Sequence, residues 1–354
     1  MTSLEFTDFG APRNRRFPTD AMVEAMRHAL PAVMQSYGST QKVLNQKLAQ
    51  HLLCEAEHVQ VLHGASQIYP ILKRLVGSRP VLRPEPSFGE YQRMFPRAKT
   101  YSDAIGIDLG AFDAAIPSDG VVVMVSPNSP TGSVVATEWI DACVRRHPHT
   151  LFVVDESFID FCDETPLVER LKADPVSNVI VIKSLSNSFG VLGLRLGYAY
   201  CANPEVIRVL DDEIPIRNLS GPAEYYLELM LKHRSDFERS LADTKSDRAA
   251  FSTMLAAVPV VARVHPSGGN FLLASLRGND PTMAARIRVE LLAQHNIDVK
   301  DVSSSPRPEA PRFRVAVRLP EDNARFCHAL DSVTIAVPSE PRAESRLPRD
   351  ARPR

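Results

Sequence analysis

Three short runs, 121-VVVMV-125, 151-LFVVD-155 and 179-VIVIK-183, are almost wholly aliphatic. A strand with one wet face alternates apolar and polar residues, so a strand without alternation is covered on both faces. Two further runs, 59–63 and 196–201, read as strands, and amphipathic stretches such as 67–76 and 137–146 read as helices between them. Strands alternating with helices predict a parallel or mixed α/β sheet. After Asp236 the pattern changes to a long charged helix (236–257), the run VVARVHPSGGNFLLASL, a second helix (281–295) and RFRVAVRL, the order of a smaller α+β lobe. The expected division is an N-terminal arm at 1–35 forming part of the small lobe, a large lobe at 36–235, a small lobe at 236–335 and a disordered tail at 336–354, where PSEPRAESRLPRDARPR lacks aromatics.

The chain has 41 basic and 42 acidic residues, a net charge of −1, so no electrostatic argument points to nucleic acid or an anionic membrane. No stretch of 18 apolar residues occurs, and the opening MTSLEFTDFGAPRNRRF lacks the apolar core of a secretion signal. Five scattered cysteines without a C-x-x-C pair read as reduced thiols of a cytoplasmic protein, with no metal role.

In α/β sheets ligands sit at the carboxyl ends of the strands, and five candidate segments fall there. In 63-HGASQ-67 small residues open a helix, and the backbone at Gly64 and Ala65 with the Ser66 hydroxyl suits an anion, although an ordinary capped helix has the same pattern. The loop 126-SPNSPTG-132 offers Asn128 and Ser129 to a cleft, or is simply a tight turn. In 151-LFVVDESFIDF-161, Asp155 ends an apolar strand, and a carboxylate there needs a cation, which a protonated heterocycle nitrogen or a structural ion pair supplies. In 179-VIVIKSLSNSFGVLGLRLGYAY-200, Ser184 and Ser186 offer hydroxyls, three glycines allow close backbone approach, and Arg195 offers a fork suited to phosphate. In 312-RFRVAVR-318, Arg314 suits a carboxylate, but Arg312 and Arg318 share its strand parity, so pattern alone does not choose among them.

Together the segments G-A-S, P-N-x-P-T-G, D-E-S-F and S-L-S-x-x-x-G-x-x-G-L-R-x-G-Y resemble, in that order, the class I/II aminotransferases of fold type I, which use pyridoxal 5′-phosphate (PLP). The nearest branches are histidinol-phosphate aminotransferase and threonine-phosphate decarboxylase, and the likeness runs from Gln41 to Arg318. The resemblance implies a large lobe with a mixed, mostly parallel sheet. It implies a phosphate cup from Gly64, Ala65, Ser66, Ser184 and Arg195, a further cofactor contact from Ser186, and a contact between Asp155 and the pyridinium nitrogen. Tyr91 would stack on the ring, Asn128, Ser129 and Phe158 would lie around it, and Arg314 with Asn270 would hold the substrate carboxylate. Tyr37 falls where the family contributes a tyrosine to a neighbouring subunit, implying a homodimer.

Two departures bear on activity. Asn187 stands where the family has the lysine that holds the cofactor covalently and moves the substrate proton, and a carboxamide does neither near neutral pH. Ser129 stands where the family has a second asparagine beside the ring hydroxyl, and Phe158 replaces a common tyrosine. A companion change at Ser129 favours a natural sequence whose reactive side has drifted over an engineered lysine replacement. Lys183, four residues earlier and inside a strand, is a poor substitute. The expected function is therefore a PLP- or pyridoxamine-phosphate-dependent transamination or α-decarboxylation of an amino acid or its phosphate ester, with the cofactor held non-covalently. The alternative is an inactive relative serving as a binding protein. The spacing of HGASQ fits neither nucleotide motif.

Overall fold

The computed structural model describes residues 6–104, 106–303 and 311–334, so the expected tail lies outside the described residues. Seven strands form the large sheet, in the spatial order Val59–His63, Leu196–Tyr200, Val179–Ser184, Leu151–Asp155, Val121–Val125, Val81–Glu85 and Lys99–Ser102. Leu196–Tyr200 runs antiparallel to both neighbours, and the other pairings are parallel.

The three aliphatic runs are central, and their residues divide between two cores as a period of two requires. Val122, Met124, Phe152, Val154, Val179 and Val181 pack into one. Val121, Val123, Val125, Leu151, Val153, Ile180 and Ile182 pack into the other. Burying each such side chain is worth roughly 1.5–3 kcal/mol, which fixes the register of the strands and hence the position of the residues at their carboxyl ends.

Val81–Glu85 and Lys99–Ser102 carry no aliphatic run. Pro84 and two charged residues, Arg83 and Glu85, hide the first, and the second is an edge strand with one buried residue, Tyr101. Glycine-free continuity gives helices Ile68–Val76 and Thr137–Arg146 close to where periodicity places them.

A second, antiparallel sheet is ordered Lys300–Asp301, Arg312–Ala316, Phe271–Leu276, Val261–His265. Its core joins Phe251, Leu272, Ile287, Leu291, Phe313 and Val315. The long helix Arg234–Ala256 connects the two bodies: Phe237 is buried in the large core, Phe251 and Leu255 in the small one. The N-terminal segment is likewise divided. Thr7–Asp8 pairs with Ile297–Asp298 and Phe9 enters the small core, whereas Met22 of helix Asp20–Gln35 enters the large one. Residues 10–17 therefore cross from one body to the other, past the carboxyl edge of the large sheet. No described helix is long and apolar enough to cross a membrane.

Candidate functional site

The strand Val59–His63 ends at Gly64, whose φ of 73° is left-handed. A Cβ there would lie 2.6 Å from Arg195 Nη2, so glycine is needed for both the turn and the close approach. Arg195, at the start of the antiparallel strand, donates from Nη2 to Ser66 Oγ (3.2 Å) and from Nη1 to Leu192 O (3.1 Å). Gly197 lets that strand touch the opposite turn, since a Cβ would meet Ala65 N at 2.5 Å. The result is a concave corner made of Ala65, Ser66, Ser184 and Arg195, with a guanidinium and two hydroxyls: an anion cradle.

Asp155, at the end of its strand and 4% exposed, lines the same cavity. Its Oδ1 accepts from Ser157 N (3.0 Å) and its Oδ2 from Tyr91 Oη (2.7 Å). Burial raises its pKa, and these donors oppose the rise. On the other wall stands Arg314, donating from Nη1 to Ser129 Oγ (2.8 Å) and from Nη2 to Gly10 O. Its guanidinium carbon lies 5.6 Å from the Phe271 ring centroid, and Nε has no partner among the described residues. No carboxylate pairs with it among the described residues, and burial pulls its pKa down to about 10. An arginine so placed is set up to receive an anion.

These groups surround a cavity of about 280 Å³. Through Gly10, Phe88, Ser129 and Arg314 it adjoins a larger chamber of about 600 Å³, whose wall includes Arg83, Glu90, Gln92, Lys300 and Asp301. Asn187, on the short helix Leu185–Ser188, faces the smaller cavity, and its carbonyl accepts from Asn14 N (2.8 Å). No lysine stands among the described residues of that wall. Lys183 is on the opposite side of its strand from Ser184, 6% exposed and paired through Nζ with Asp160 Oδ1 (2.6 Å).

Of the residues singled out in the sequence, Ala65, Ser66, Ser129, Asp155, Phe158, Ser184, Asn187, Arg195 and Arg314 line one cavity. Gly64 supports it through its backbone. Four expectations need correction.

Tyr91 offers no ring face to the cavity; it is fully buried, edge-on to Tyr69 at 5.7 Å between centroids, and the aromatics in the wall are Tyr69, Phe88 and Phe158. Asn128 is also fully buried, its amide spent on Ser87 Oγ, Asp103 Oδ2 and Pro86 O, so it fixes the proline loop instead of facing a ligand. Ser186 Oγ clamps the backbone of Leu196 from both sides, accepting at 3.0 Å and donating at 3.2 Å. Asn270 is 0% exposed with neither amide atom partnered among the described residues, and it lies outside the cavity wall.

The parity ambiguity is resolved by position. Arg314 reaches the cavity, while Arg318 pairs with Asp322 at 2.9 Å. Gly10, Ala11, Pro12, Tyr69, Phe88 and Leu192 also line the cavity, unread in the sequence. Phe88 stands three residues before Tyr91, but nothing in 10-GAP-12 signals a wall that exists only because the chain crosses between the two bodies.

A separate cluster, Asp113, Cys143 and His147, brings three donor atoms within 4.8 Å of one another. Arg146 already donates to the same Asp113 oxygen at 2.6 Å, and burial pushes the Cys143 thiol up to about 12.

The family model for aminotransferase class I and II matches residues 6–330. Among curated proteins, CMP-5′-(3-aminopropyl)phosphonate synthase of Streptomyces rubellomurinus is 32% identical over 335 residues, 90% of this chain and 51% of that protein. L-serine phosphate decarboxylase of Sulfurospirillum multivorans is 27% identical, over 86% of this chain and 81% of that protein. The chain thus spans about half the length of the Streptomyces relative. Among solved structures, histidinol-phosphate aminotransferase from Sinorhizobium meliloti, in complex with pyridoxal-5′-phosphate, superposes with a TM-score of 0.82 at 20% identity, covering 93% of this chain and 91% of that one. That likeness speaks to the fold, which is the mixed, mostly parallel α/β architecture of fold type I. The chain belongs to the class I and II aminotransferase family.

Proposed function

We propose that this protein binds PLP or pyridoxamine 5′-phosphate non-covalently and acts on an amino acid bearing a phosphoryl or phosphonyl tail, by transamination or α-decarboxylation. The observation that carries the reading is one cavity whose wall holds a phosphate cradle, a buried carboxylate and a buried arginine, with Asn187 where a tether would stand. The fit to such a cofactor rests on this geometry. Gly64 and Gly197 open a cradle that a Cβ would fill, Ser66 and Arg195 point hydroxyl and guanidinium groups at it, and Asp155 supplies a negative charge for a cationic ring nitrogen.

Bound there, PLP supplies an electron sink for a bond broken at the amino acid Cα. Phe88 and Phe158 would offer apolar surface to an aromatic ring, and Arg314 would hold the substrate carboxylate while Ser129 steadies the guanidinium. Asn187 orients a polar group and carries no proton between atoms. The tail reading draws on the adjoining chamber of about 600 Å³ with Lys300 in its wall. It draws also on the names of two relatives, one a serine phosphate decarboxylase and one a synthase of an aminopropylphosphonate.

A second reading, a binding protein without turnover, is favoured by one specific feature: among the described residues no amine faces the smaller cavity. Titration with PLP, with and without O-phosphoserine, followed by absorbance and mass spectrometry, separates the two. Spectral change with carbon dioxide or keto-acid release supports the first, a complex without turnover supports the second, and no complex at all overturns both.

The same reading includes a homodimer and a cytoplasmic setting. Met34, Tyr37 and Ile216 are 70%, 86% and 89% exposed near one another, with Arg217 over the Tyr37 ring, an apolar surface suited to a second copy. Sedimentation at a monomer mass would reject the dimer. Five cysteines without a disulfide suit a reducing compartment.

A further inference from the structure

We propose that Tyr91 is a positioning residue for Asp155: its hydroxyl donates to the carboxylate from behind the cavity wall, fixing its orientation and favouring its charged form toward a cationic ring nitrogen. The inference rests on the ligand reading above and deepens it.

The geometry is specific. Tyr91, on helix Gly89–Met94, is fully buried and outside the wall, while Asp155 is in the wall; the 2.7 Å contact joins the two layers. A carboxylate has about four acceptor positions, and Tyr91 with the backbone and side chain of Ser157 take up to three, leaving room for a donor from the cavity. The other titratable groups facing Asp155 are Tyr69, which lines the cavity, and Glu156, the next residue in the chain, whose own carboxyl is raised to about 7 by burial. Neither donates a hydrogen bond to Asp155 in the structure. Ser157, in the cavity wall, also hydrogen-bonds Asp155, so Tyr91 is the hydroxyl donor that reaches it from behind that wall, and both residues oppose the upward pull of burial on its pKa.

A cationic ring is held by ionised Asp155, so affinity falls as the pH drops through the Asp155 pKa. Removing the Tyr91 donor raises that pKa, and the fall begins at higher pH.

The test uses pyridoxine 5′-phosphate, which has the phosphate and ring nitrogen but no aldehyde and so binds only non-covalently. Calorimetric affinities are measured across pH 5 to 8 for the wild type, Tyr91→Phe and Phe88→Leu, with inorganic phosphate as a control. The expected result for Tyr91→Phe is roughly tenfold weaker binding near pH 6, a midpoint moved to higher pH, and unchanged phosphate affinity. Phe88→Leu weakens binding at every pH without moving the midpoint. If Tyr91 instead stacked on the ring, phenylalanine would preserve that contact, and wild-type behaviour in Tyr91→Phe overturns the proposal. Equal loss at every pH, with phosphate binding also lost, marks a merely structural role and overturns it too. In an Asp155→Asn background, Tyr91→Phe is expected to have no further effect on the pH profile; a further shift of the midpoint there counts against the pairing. If the wild type fails to bind pyridoxine 5′-phosphate but the phosphate control binds, the ligand reading has failed and not the Tyr91 inference alone.

Discussion

Replacing Arg314 by methionine tests the site against the fold. The guanidinium sits at the cavity wall without a carboxylate partner among the described residues, and burial lowers its pKa from 12.5 to about 10. That difference corresponds to roughly 3 kcal/mol held against the charged side chain in the ligand-free protein. Against it stand hydrogen bonds to Ser129 Oγ and Gly10 O, worth roughly 1 kcal/mol each, and the stacking on Phe271, worth about 0.5–1 kcal/mol. Arg314→Met removes both sides of this balance, so the net change in stability is expected within about 1 kcal/mol of zero. For a chain of 354 residues the unfolding entropy is about 0.7 kcal/mol per kelvin, and the melting temperature should move by no more than about 2 °C. The assay is thermal unfolding by circular dichroism, alone and with pyridoxine 5′-phosphate plus O-phosphoserine. The wild type should gain stability from O-phosphoserine and the variant should not. A variant that melts more than about 5 °C lower in the absence of ligand, yet keeps the O-phosphoserine shift, would show that Arg314 is a structural tie and refute the reasoning.

Asn187→Lys should acquire an adduct with PLP that borohydride fixes on the peptide containing residue 187, whereas the wild type gives none there; an equal adduct in the wild type on Lys300 would mean that another amine reaches the cavity. Gly197→Ala places a Cβ 2.5 Å from Ala65 N and 3.0 Å from Lys183 O, both backbone atoms that cannot swing aside, so it should cost roughly 1–3 kcal/mol in chemical denaturation and weaken inorganic phosphate binding. Glu156 is fully buried with its pKa raised from 4.5 to about 7, so its contribution to stability is complete below pH 4.5 and is lost as the pH rises through about 7. Glu156→Gln should therefore be more stable than the wild type at pH 8.5, by up to roughly 3 kcal/mol, with the advantage shrinking toward pH 5; an advantage independent of pH would rule out ionisation as the cause.

The large sheet was legible wherever a strand is buried on both faces, because its sequence then has nothing but aliphatic residues to show. Val81–Glu85 escaped reading since Arg83 and Pro84 occupy buried strand positions through partners distant in sequence, such as Phe95 O. Site residues at strand ends were legible for a related reason: Asp155 breaks an apolar run at the point where the sheet stops, and Ser184 follows such a run as the last residue of its strand. Asn128, Ser186 and Tyr91 were misplaced because a motif gives a residue's order along the chain and not the direction of its side chain. In each case a hydrogen bond to a distant segment, to Asp103, Leu196 or Asp155, turned the group away from the cavity. The wall contributed by 10-GAP-12 had no local signal, since it depends on the pairing of Thr7–Asp8 with Ile297–Asp298.

The positions that depart from the family pattern also bear on whether the cavity still binds. Asp155 and Arg314 are charged groups whose burial disfavours their ionised forms; neither makes a direct ion pair among the described residues, and Asp8 offsets the burial of Arg314 only in part. A cavity that had ceased to meet any ligand would be stabilised by apolar residues of similar size at both places, because an unpaired buried charge is worse than a packed hydrophobe. Asn187 and Ser129, by contrast, are small neutral groups that impose no such penalty. The sequence thus keeps the two costly charges that recognise a ligand and has changed the groups that handle its reactive end. A double variant, Asp155→Leu with Arg314→Met, measures this directly. It should unfold at higher denaturant concentration than the ligand-free wild type and show no ligand-dependent shift. A double variant less stable than the wild type by several kcal/mol would mean that the two charges serve the fold, and the case for a retained ligand would lose its physical basis.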